Sequence, residues 1–473
     1  MEKVAHVIVD IPLMQTDKPF SYGIPKELAS LVQVGSRVHV PFGNGNRLLQ
    51  GFVISFAQEE SSSLKMIQTV LDPEPVLNQE QLDLADQLRK TVFSYKITLL
   101  KAMIPNLLNS NYDKELWPES TLEETSRAYI FEEKASILSS TLDQDREKAA
   151  LKAIQAGQIR VNYLAKDKKN VKTEKYYQVN MTKLADHPIS PRAKKRQFLK
   201  EYLLEESQES KLADLYQNFS RDVVAYFVTN DLIRIDERQV NRSEQYFDQV
   251  EATSFLTLND EQASAVNQIV EEIGKPSKPF LIEGITGSGK TEVYLHIIEA
   301  VLKQAKTAIV LVPEISLTPQ MTSRFISRFG KQVAMMHSGL SDGEKFDEWQ
   351  KIKRGQAKLV VGARSAIFVP LENIGAIIID EEHESTYKQE TNPRYHAREV
   401  ALLRAKYHQA VVVMGSATPS IESRARASKG VYHFIQLTQR ANPLAKIPEV
   451  AIVDFRDYIG QQTAVSYTHL RAH

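Results

Sequence analysis

The 473-residue chain contains no cysteine. This excludes disulfides, thiolate zinc sites and cysteine nucleophiles within it. It also has no net formal charge, with 59 basic and 59 acidic side chains. Any basic surface for nucleic acid must therefore be local. No apolar run approaches the roughly 20 residues that span a bilayer, so no membrane partner is expected. The start, Met1-Glu2-Lys3-Val4-Ala5-His6, lacks the basic region and long apolar core of a secretion signal. The expected location is the cytoplasm. What is present is the composition of an ordinary globular protein, 42% hydrophobic and 25% charged. The length suits about two to four domains.

The most specific stretch is Gly284-Ile285-Thr286-Gly287-Ser288-Gly289-Lys290-Thr291. It fits G-x-x-x-x-G-K-[ST], the phosphate-binding loop. The flanks fit too: Pro279 to Ile282 reads as a buried strand, and Thr291 to Lys306 places Val293, Ile297, Ile298, Val301 and Leu302 on one helical face. The loop's backbone N–H groups, with the N-terminus of that helix, suit phosphate oxygens. Lys290 is expected on the β- and γ-phosphates, and the Thr291 hydroxyl on Mg²⁺. A second anchor is Ile377-Ile378-Ile379-Asp380-Glu381-Glu382-His383. An apolar strand ending in carboxylates puts them at the carboxyl edge of an α/β sheet, where ligands bind. Asp380 is expected to hold hydrated Mg²⁺, and Glu381 to polarise the attacking water.

Three weaker signals adjoin these. Gln262 is placed to pair with adenine, yet Asn259 with Gln262 also forms a helix capping arrangement. Ser416 and Thr418, in Gly415-Ser416-Ala417-Thr418-Pro419, are placed to couple phosphate state to movement; the plainer alternative is a tight turn before a helix capped by Ser420. The loops Pro313 to Gln320 and Gly362 to Phe368, the latter with Arg364, suit phosphate-backbone contact. Tyr387, Lys388, Arg394 and Tyr395 interleave aromatics with cations, as stacking on bases beside phosphates requires.

Along the chain, residues 1–105 read as a β-rich domain. Its strands are Ala5–Ile11, Gly35–Pro41 and Leu48–Phe56, the last two joined by a turn at Phe42–Asn46, and a helix follows at Gln79–Tyr95. Residues 110–250 read as winged-helix-like. Helices are expected at Lys148–Ala156, Gln197–Leu204 and Leu212–Val228, a strand at Leu232–Ile235, and a two-stranded wing at Ile159–Leu164 and Val171–Val179 with the basic tip Lys166–Asn170. Arg192 to Arg196 is a second basic run. Residues 255–440 alternate strand and helix, the pattern of a parallel sheet covered by helices.

The ordered motifs resemble helicase superfamily 2. The strings Glu-Gly-Ile-Thr-Gly-Ser-Gly-Lys-Thr-Glu-Val-Tyr and Val-Pro-Glu-Ile-Ser-Leu-Thr-Pro-Gln resemble, within it, the PriA family of replication restart helicases. Pro-Phe-Ser-Tyr-Gly-Ile-Pro and Val-Gly-Ser-Arg-Val-His-Val-Pro-Phe-Gly resemble that family's 3′-DNA-binding domain. The resemblance implies a multidomain α/β protein: a RecA-like P-loop lobe preceded by a β-rich 3′-DNA-binding domain and a winged helix. It implies an ATP- and Mg²⁺-dependent 3′-to-5′ DNA helicase that assembles primosomes at stalled forks. Its partners would be forked and single-stranded DNA, primosome loader proteins and single-stranded DNA-binding protein. The pocket that grips a 3′ end would use Phe20, Tyr22, Gly43 and Lys65; Ser21 stands where the family commonly has an acid. The family continues with a zinc-binding cysteine region and a second lobe, whose arginine is worth on the order of 10³–10⁵ in rate. The zinc-binding cysteines are absent here, and residues 441–473 read as the start of a linker to such a lobe with a tail, Ser466–His473, that does not continue the family. A truncated or misjoined chain is therefore expected. The alternatives are a DNA-fork-binding module with an inert motor, or another superfamily 2 DNA translocase.

Overall fold

The computed structural model describes residues 2–59, 63–109, 112–119, 121–132, 134–165, 173–191, 193–205, 209–230, 232–239 and 253–441. The first unit is an antiparallel sheet of β1 (Glu2–Val9), β2 (Phe20–Gly23), β3 (Arg37–Phe42), β4 (Arg47–Glu59) and β5 (Thr69–Val70), in the order β2-β1-β4-β3-β5. The hairpin expected at Phe42–Asn46 is present: Phe42 pairs with Arg47, and Gly43 and Asn46 supply the positive φ values of +68° and +49°. Helix α1 (Gln79–Val92) starts on a capping box between Asn78 and Gln81. It stops at Phe93, in the left-handed region and short of the expected Tyr95. Helices α2 (Lys96–Ala102) and α3 (Asn106–Asn109) follow.

These three helices do not close over their own sheet alone. Leu82, Leu99, Leu100 and Leu107 share one hydrophobic core with Ile309, Ile377, Trp349 and Ile367 of the C-terminal lobe. A polar clamp seals the seam. Arg404, 1% exposed, donates to both Glu80 carboxylate oxygens at 2.6 and 2.9 Å and to the carbonyls of Ile367, Val369 and Leu371. His408 lies 3.0 Å from the same carboxylate, and Gln81 donates to the Phe368 carbonyl.

The middle region corrects the expected wing. β8 (Ile159–Ala165) pairs with β6 (Tyr112–Pro118), whose other neighbour is β7 (Ile137–Leu138). β9 (Thr173–Val179) lies in a separate sheet between β10 (Glu209–Lys211) and β11 (Ile233–Gln239). Alternation alone found both strands, but partner choice depends on long-range packing. The tip Lys166–Asn170 and Arg192 lie outside the described residues. α4 (Glu124–Phe131) and α5 (Gln144–Gln155) complete the first of these units. The second holds α6 (Met181–Asp186), α7 (Lys194–Glu205), α8 (Leu212–Asn218) and α9 (Arg221–Thr229). The single helix expected at Leu212–Val228 is thus two, interrupted where Ser220 is extended ahead of α9.

The C-terminal lobe is a seven-stranded parallel sheet ordered β14-β15-β13-β16-β17-β12-β18. Its strands are β12 (Phe280–Gly284), β13 (Thr307–Leu311), β14 (Val333–Met336), β15 (Leu359–Gly362), β16 (Ile374–Asp380), β17 (Val411–Ser416) and β18 (His433–Leu437). The edge strand β18 was not anticipated from sequence. The covering helices are α10 (Asp260–Val270), α11 (Lys290–Lys303), α12 (Pro319–Phe329), α13 (Asp342–Lys353), α14 (Ala397–His408) and α15 (Ile421–Ser428). Alternate residues face opposite cores: Ile377 and Ile379 join the core shared with α1–α3, while Ile378 faces the core of α10–α12. Among the described residues no helix is long and apolar enough to cross a membrane.

Burial pushes the Glu80 carboxyl up, but the adjacent His408 and the Arg404 guanidinium outweigh this and hold it below its ordinary 4.5. Its stabilising contribution is therefore complete above pH 4.5 and is lost as pH falls through the lower folded value. Arg404→Ala should cost about 3–5 kcal/mol at neutral pH by stranding a buried charge. Urea unfolding of both proteins checks this, and the gap between them should narrow in acid as Glu80 protonates.

Candidate nucleotide and nucleic-acid site

The phosphate loop leaves β12 and opens α11, as the motif demands. Gly287 and Gly289 hold φ of +80° and +79°, the left-handed backbone that glycine adopts without strain and that this tight loop needs to open the helix. Gly284 has to be glycine for another reason: a Cβ there would lie 2.6 Å from the Ser288 hydroxyl and 3.0 Å from the Lys290 side chain. Lys290 curls back across the loop and donates to the Gly284 carbonyl at 2.8 Å. The Ser288 hydroxyl is buried without a hydrogen-bond partner. Thr291 sits in the first turn of α11. A glycine cradle, a free buried hydroxyl and a lysine at a helix N-terminus fit the phosphates of a nucleotide. Thr291 and Asp380 are the oxygen donors that would hold its Mg²⁺.

Gln262 forms the capping box with Asn259, and its Nε2 donates to the Ser288 carbonyl at 2.8 Å. It therefore braces the phosphate loop from α10. Glu261 beside it accepts from the Thr438 backbone and hydroxyl and from Gln439 N, and Ala441 N donates to the Gly287 carbonyl. The chain leaving β18 thus runs along the loop.

Asp380 ends β16 and is 8% exposed. Burial, then the neighbouring Glu381 charge, push its carboxyl up to about 6, against the Tyr294 hydrogen bond, the Lys290 charge and the Glu381 backbone N–H. The unfolded carboxyl ionises from pH 3.8 while the folded one holds its proton to about 6, so stability falls as pH rises through that window and stays lower above it. The Tyr294 hydroxyl donates to Asp380 Oδ1 at 3.0 Å. Glu381 takes φ +45°, so the chain turns sharply where the strand ends. Its carboxylate accepts from Ser416 Oγ at 3.3 Å. Ser416 Oγ also accepts from Thr418 N at 2.9 Å and lies 2.7 Å from His383 Nδ1. The third acid is structural: Glu382 accepts from Ser420 N, Ser420 Oγ and Ser423 Oγ at the start of α15.

The expected DNA-facing residues divide. A groove of about 570 Å³ runs along the same sheet edge, lined by Pro313, His337, Arg364, Thr386 and Lys388 among others. Lys388 is exposed in it, and Arg394 is exposed but does not line it. Tyr387 and Tyr395 are not available for stacking, because they are 1% and 4% exposed. The Tyr387 hydroxyl donates to the Asp380 carbonyl at 2.6 Å and to the Leu311 carbonyl at 3.0 Å. Tyr395 packs edge-on against Phe368. Arg364 is not a free phosphate ligand either; its Nη1 donates to the Thr386 and Lys388 carbonyls. Loop position alone could not separate an aromatic strut from an aromatic platform.

In the N-terminal sheet, Lys65 donates to the Gly43 carbonyl at 2.6 Å, which brings two of the four expected pocket residues together. Phe20 is half-buried and edge-on to Phe42, with ring centroids 5.1 Å apart. Tyr22 is core, 3% exposed, with its hydroxyl on the Pro41 carbonyl. Sequence reasoning missed Tyr294, His383 and the Arg404–Glu80 clamp as functional or positioning groups. One signal for Tyr294 was available, since Gly415 interrupts an apolar strand, and such a glycine marks close approach.

The family described as 3'DNA-binding domain (3'BD) matches residues 6–105, and the one described as Type III restriction enzyme, res subunit matches residues 255–421. Replication restart protein PriA of Bacillus subtilis (strain 168) is 44% identical over 467 residues, which are 96% of this chain and 58% of that protein. Its namesake in Chlamydia trachomatis is 32% identical over 93% of this chain and 52% of that protein. The chain therefore spans little more than half the length of these relatives. A RecG structure bound to a three-way DNA junction shares 23% identity at a TM-score of 0.31, covering 43% of this chain and 26% of that one.

Gly415→Ala tests the site's packing. The added methyl would lie 1.7 Å from the Tyr294 hydroxyl. A loss of about 1–3 kcal/mol or more is expected on thermal or chemical unfolding. Adding Tyr294→Phe should recover part of it, because the nearest clashing atom is gone.

Proposed function

Because the chain belongs to the PriA family of replication restart proteins, we propose that it supplies that family's fork-recognition and nucleotide-binding functions. Its parent activity is that of an ATP-driven 3′-to-5′ DNA helicase that rebuilds primosomes at stalled forks. The observation that carries this reading is the convergence of Lys290, Thr291, Asp380 and Glu381 on one sheet edge. That edge is joined through a continuous core to the domain matched as 3′-DNA-binding.

The residues then take these parts. Lys290 and the loop amides hold the β- and γ-phosphates. Bound Mg²⁺ supplies charge neutralisation on the transferred phosphoryl group. Glu381 is the carboxylate assigned to orient an attacking water, and its bond to Ser416 ties it to Thr418 and His383. These contacts support a coupling role for Ser416 and Thr418. Gln262 braces the phosphate loop: its Oε1 accepts from Asn259 N and its Nε2 donates to the Ser288 carbonyl, so its amide serves the capping box and the loop rather than a base.

On the DNA side, Gly43, Lys65 and Phe20 form the candidate 3′-end pocket, with Tyr22 supporting it from the core. Lys388 offers a phosphate contact in the groove, Arg394 is exposed further along the same loop, and Arg364 holds the backbone on either side of Tyr387 that presents Lys388. The unit at residues 173–239 supplies the winged helix, supported by the α8–α9 pair beside a three-stranded sheet. Forked and single-stranded DNA are the substrates, and primosome loader proteins and single-stranded DNA-binding protein the partners.

Fluorescent-nucleotide binding tests the motor half. Lys290→Ala should weaken Mg²⁺-dependent binding at least tenfold while forked DNA still binds. Equal nucleotide binding by both proteins would overturn the assignment. Fork affinity should also fall by orders of magnitude as salt rises from about 50 to 200 mM if several phosphates are contacted. A flat salt response would contradict the backbone-contact reading.

A further inference from the structure

The geometry points to Tyr294 and Tyr387 as a pair of positioning residues that fix Asp380 from two sides, one by its carboxylate and one by its backbone. This rests on the reading of Asp380 as a metal-holding carboxylate. Both tyrosines are essentially sealed from solvent, at 0% and 1% exposure. A buried phenol costs several kcal/mol if its hydroxyl finds no partner, so where it points is decided by what can accept its proton. Tyr294 donates to Asp380 Oδ1 and Tyr387 to the Asp380 carbonyl.

The surrounding structure is built to admit this arrangement. Gly415 pairs directly with Asp380 across β16 and β17. The place of its missing side chain is filled by the Tyr294 hydroxyl. A side chain there would push the phenol off the carboxylate. Tyr387 is held just as firmly, since Arg364 grips the carbonyls of Thr386 and Lys388, the residues on either side of it.

Each tyrosine also comes from an element with its own task. Tyr294 lies one helical turn beyond Lys290 on α11, so the helix that presents the phosphate-binding lysine also orients the carboxylate. Tyr387 lies in the loop that lines the groove and carries Lys388. Mg²⁺ demands near-ideal octahedral geometry, so a ligand carboxylate free to rotate binds it poorly. Groups that orient a metal ligand typically govern 10–100-fold in metal affinity.

Phenylalanine at either position keeps the ring and removes only the hydroxyl, which at Tyr387 also gives up the contact with the Leu311 carbonyl. The test titrates Mg²⁺ against the chain with a fluorescent ATP analogue, alongside metal-free binding of the same analogue. Wild-type protein must first show a Mg²⁺-dependent gain; its absence would overturn the nucleotide-site reading itself. Given that gain, Tyr294→Phe should raise the Mg²⁺ concentration needed by about 10–100-fold and leave metal-free binding unchanged. Tyr387→Phe should shift it in the same direction by less. In a double-mutant cycle with Asp380→Asn, the Tyr294→Phe effect should vanish, because the carboxylate it orients is gone. An unchanged Mg²⁺ requirement in both variants would overturn the proposal. So would a parallel loss of metal-free and metal-dependent binding, or an effect that persists in Asp380→Asn, since each marks a general structural role.

Discussion

A parallel sheet has to be covered on both faces, and that requirement organises this molecule. One face of the seven-stranded sheet is buried under α10–α12 of the lobe itself. The other is shared between lobe elements and α1–α3 from the N-terminal part of the chain. The lobe therefore completes its core with residues far away in sequence. The Arg404–Glu80 clamp lies in that seam and gives it direction: a guanidinium that satisfies two carboxylate oxygens and three carbonyls accepts few other arrangements. The domain matched as DNA-binding and the nucleotide lobe are in this way one packed body.

The same sheet sets where chemistry can occur. With all strands parallel, every strand-to-helix loop that follows a carboxyl end emerges on one edge. The phosphate loop, the Asp380–Glu381 turn and the Ser416–Thr418 turn are all brought there by topology. Local hydrogen bonds then lock them together. Gln262 braces the phosphate loop, Ser416 links Glu381 to Thr418, and the two buried tyrosines hold Asp380. The groove along this edge shares the Tyr387 loop with the Asp380 turn, joined by the bond from the Tyr387 hydroxyl to the Asp380 carbonyl.

Much of this was legible in the sequence because it depends on local rules. The phosphate loop, the apolar strand ending in acids, the Asn259 cap and the Gly43–Asn46 hairpin each follow from residue types at fixed spacing. What was not legible depends on contacts between distant residues. Two alternating segments, β8 and β9, read as one wing although they belong to different sheets. Tyr387 and Tyr395 read as stacking platforms because interleaved aromatics and cations do not reveal which way a loop folds. Arg404 gave no signal at all, since its partner Glu80 lies more than three hundred residues earlier.

The measurement that bears most directly on this account is the affinity of the chain for Mg²⁺–ATP with and without a DNA fork carrying a free 3′ end. Isothermal titration in both orders gives the coupling between the two sites, which must be reciprocal. A shared strut and a continuous core predict that each ligand changes the affinity for the other by roughly 5–150-fold. Tight binding of both ligands with no mutual effect would contradict the claim that the nucleotide edge and the DNA-binding surfaces act as one body.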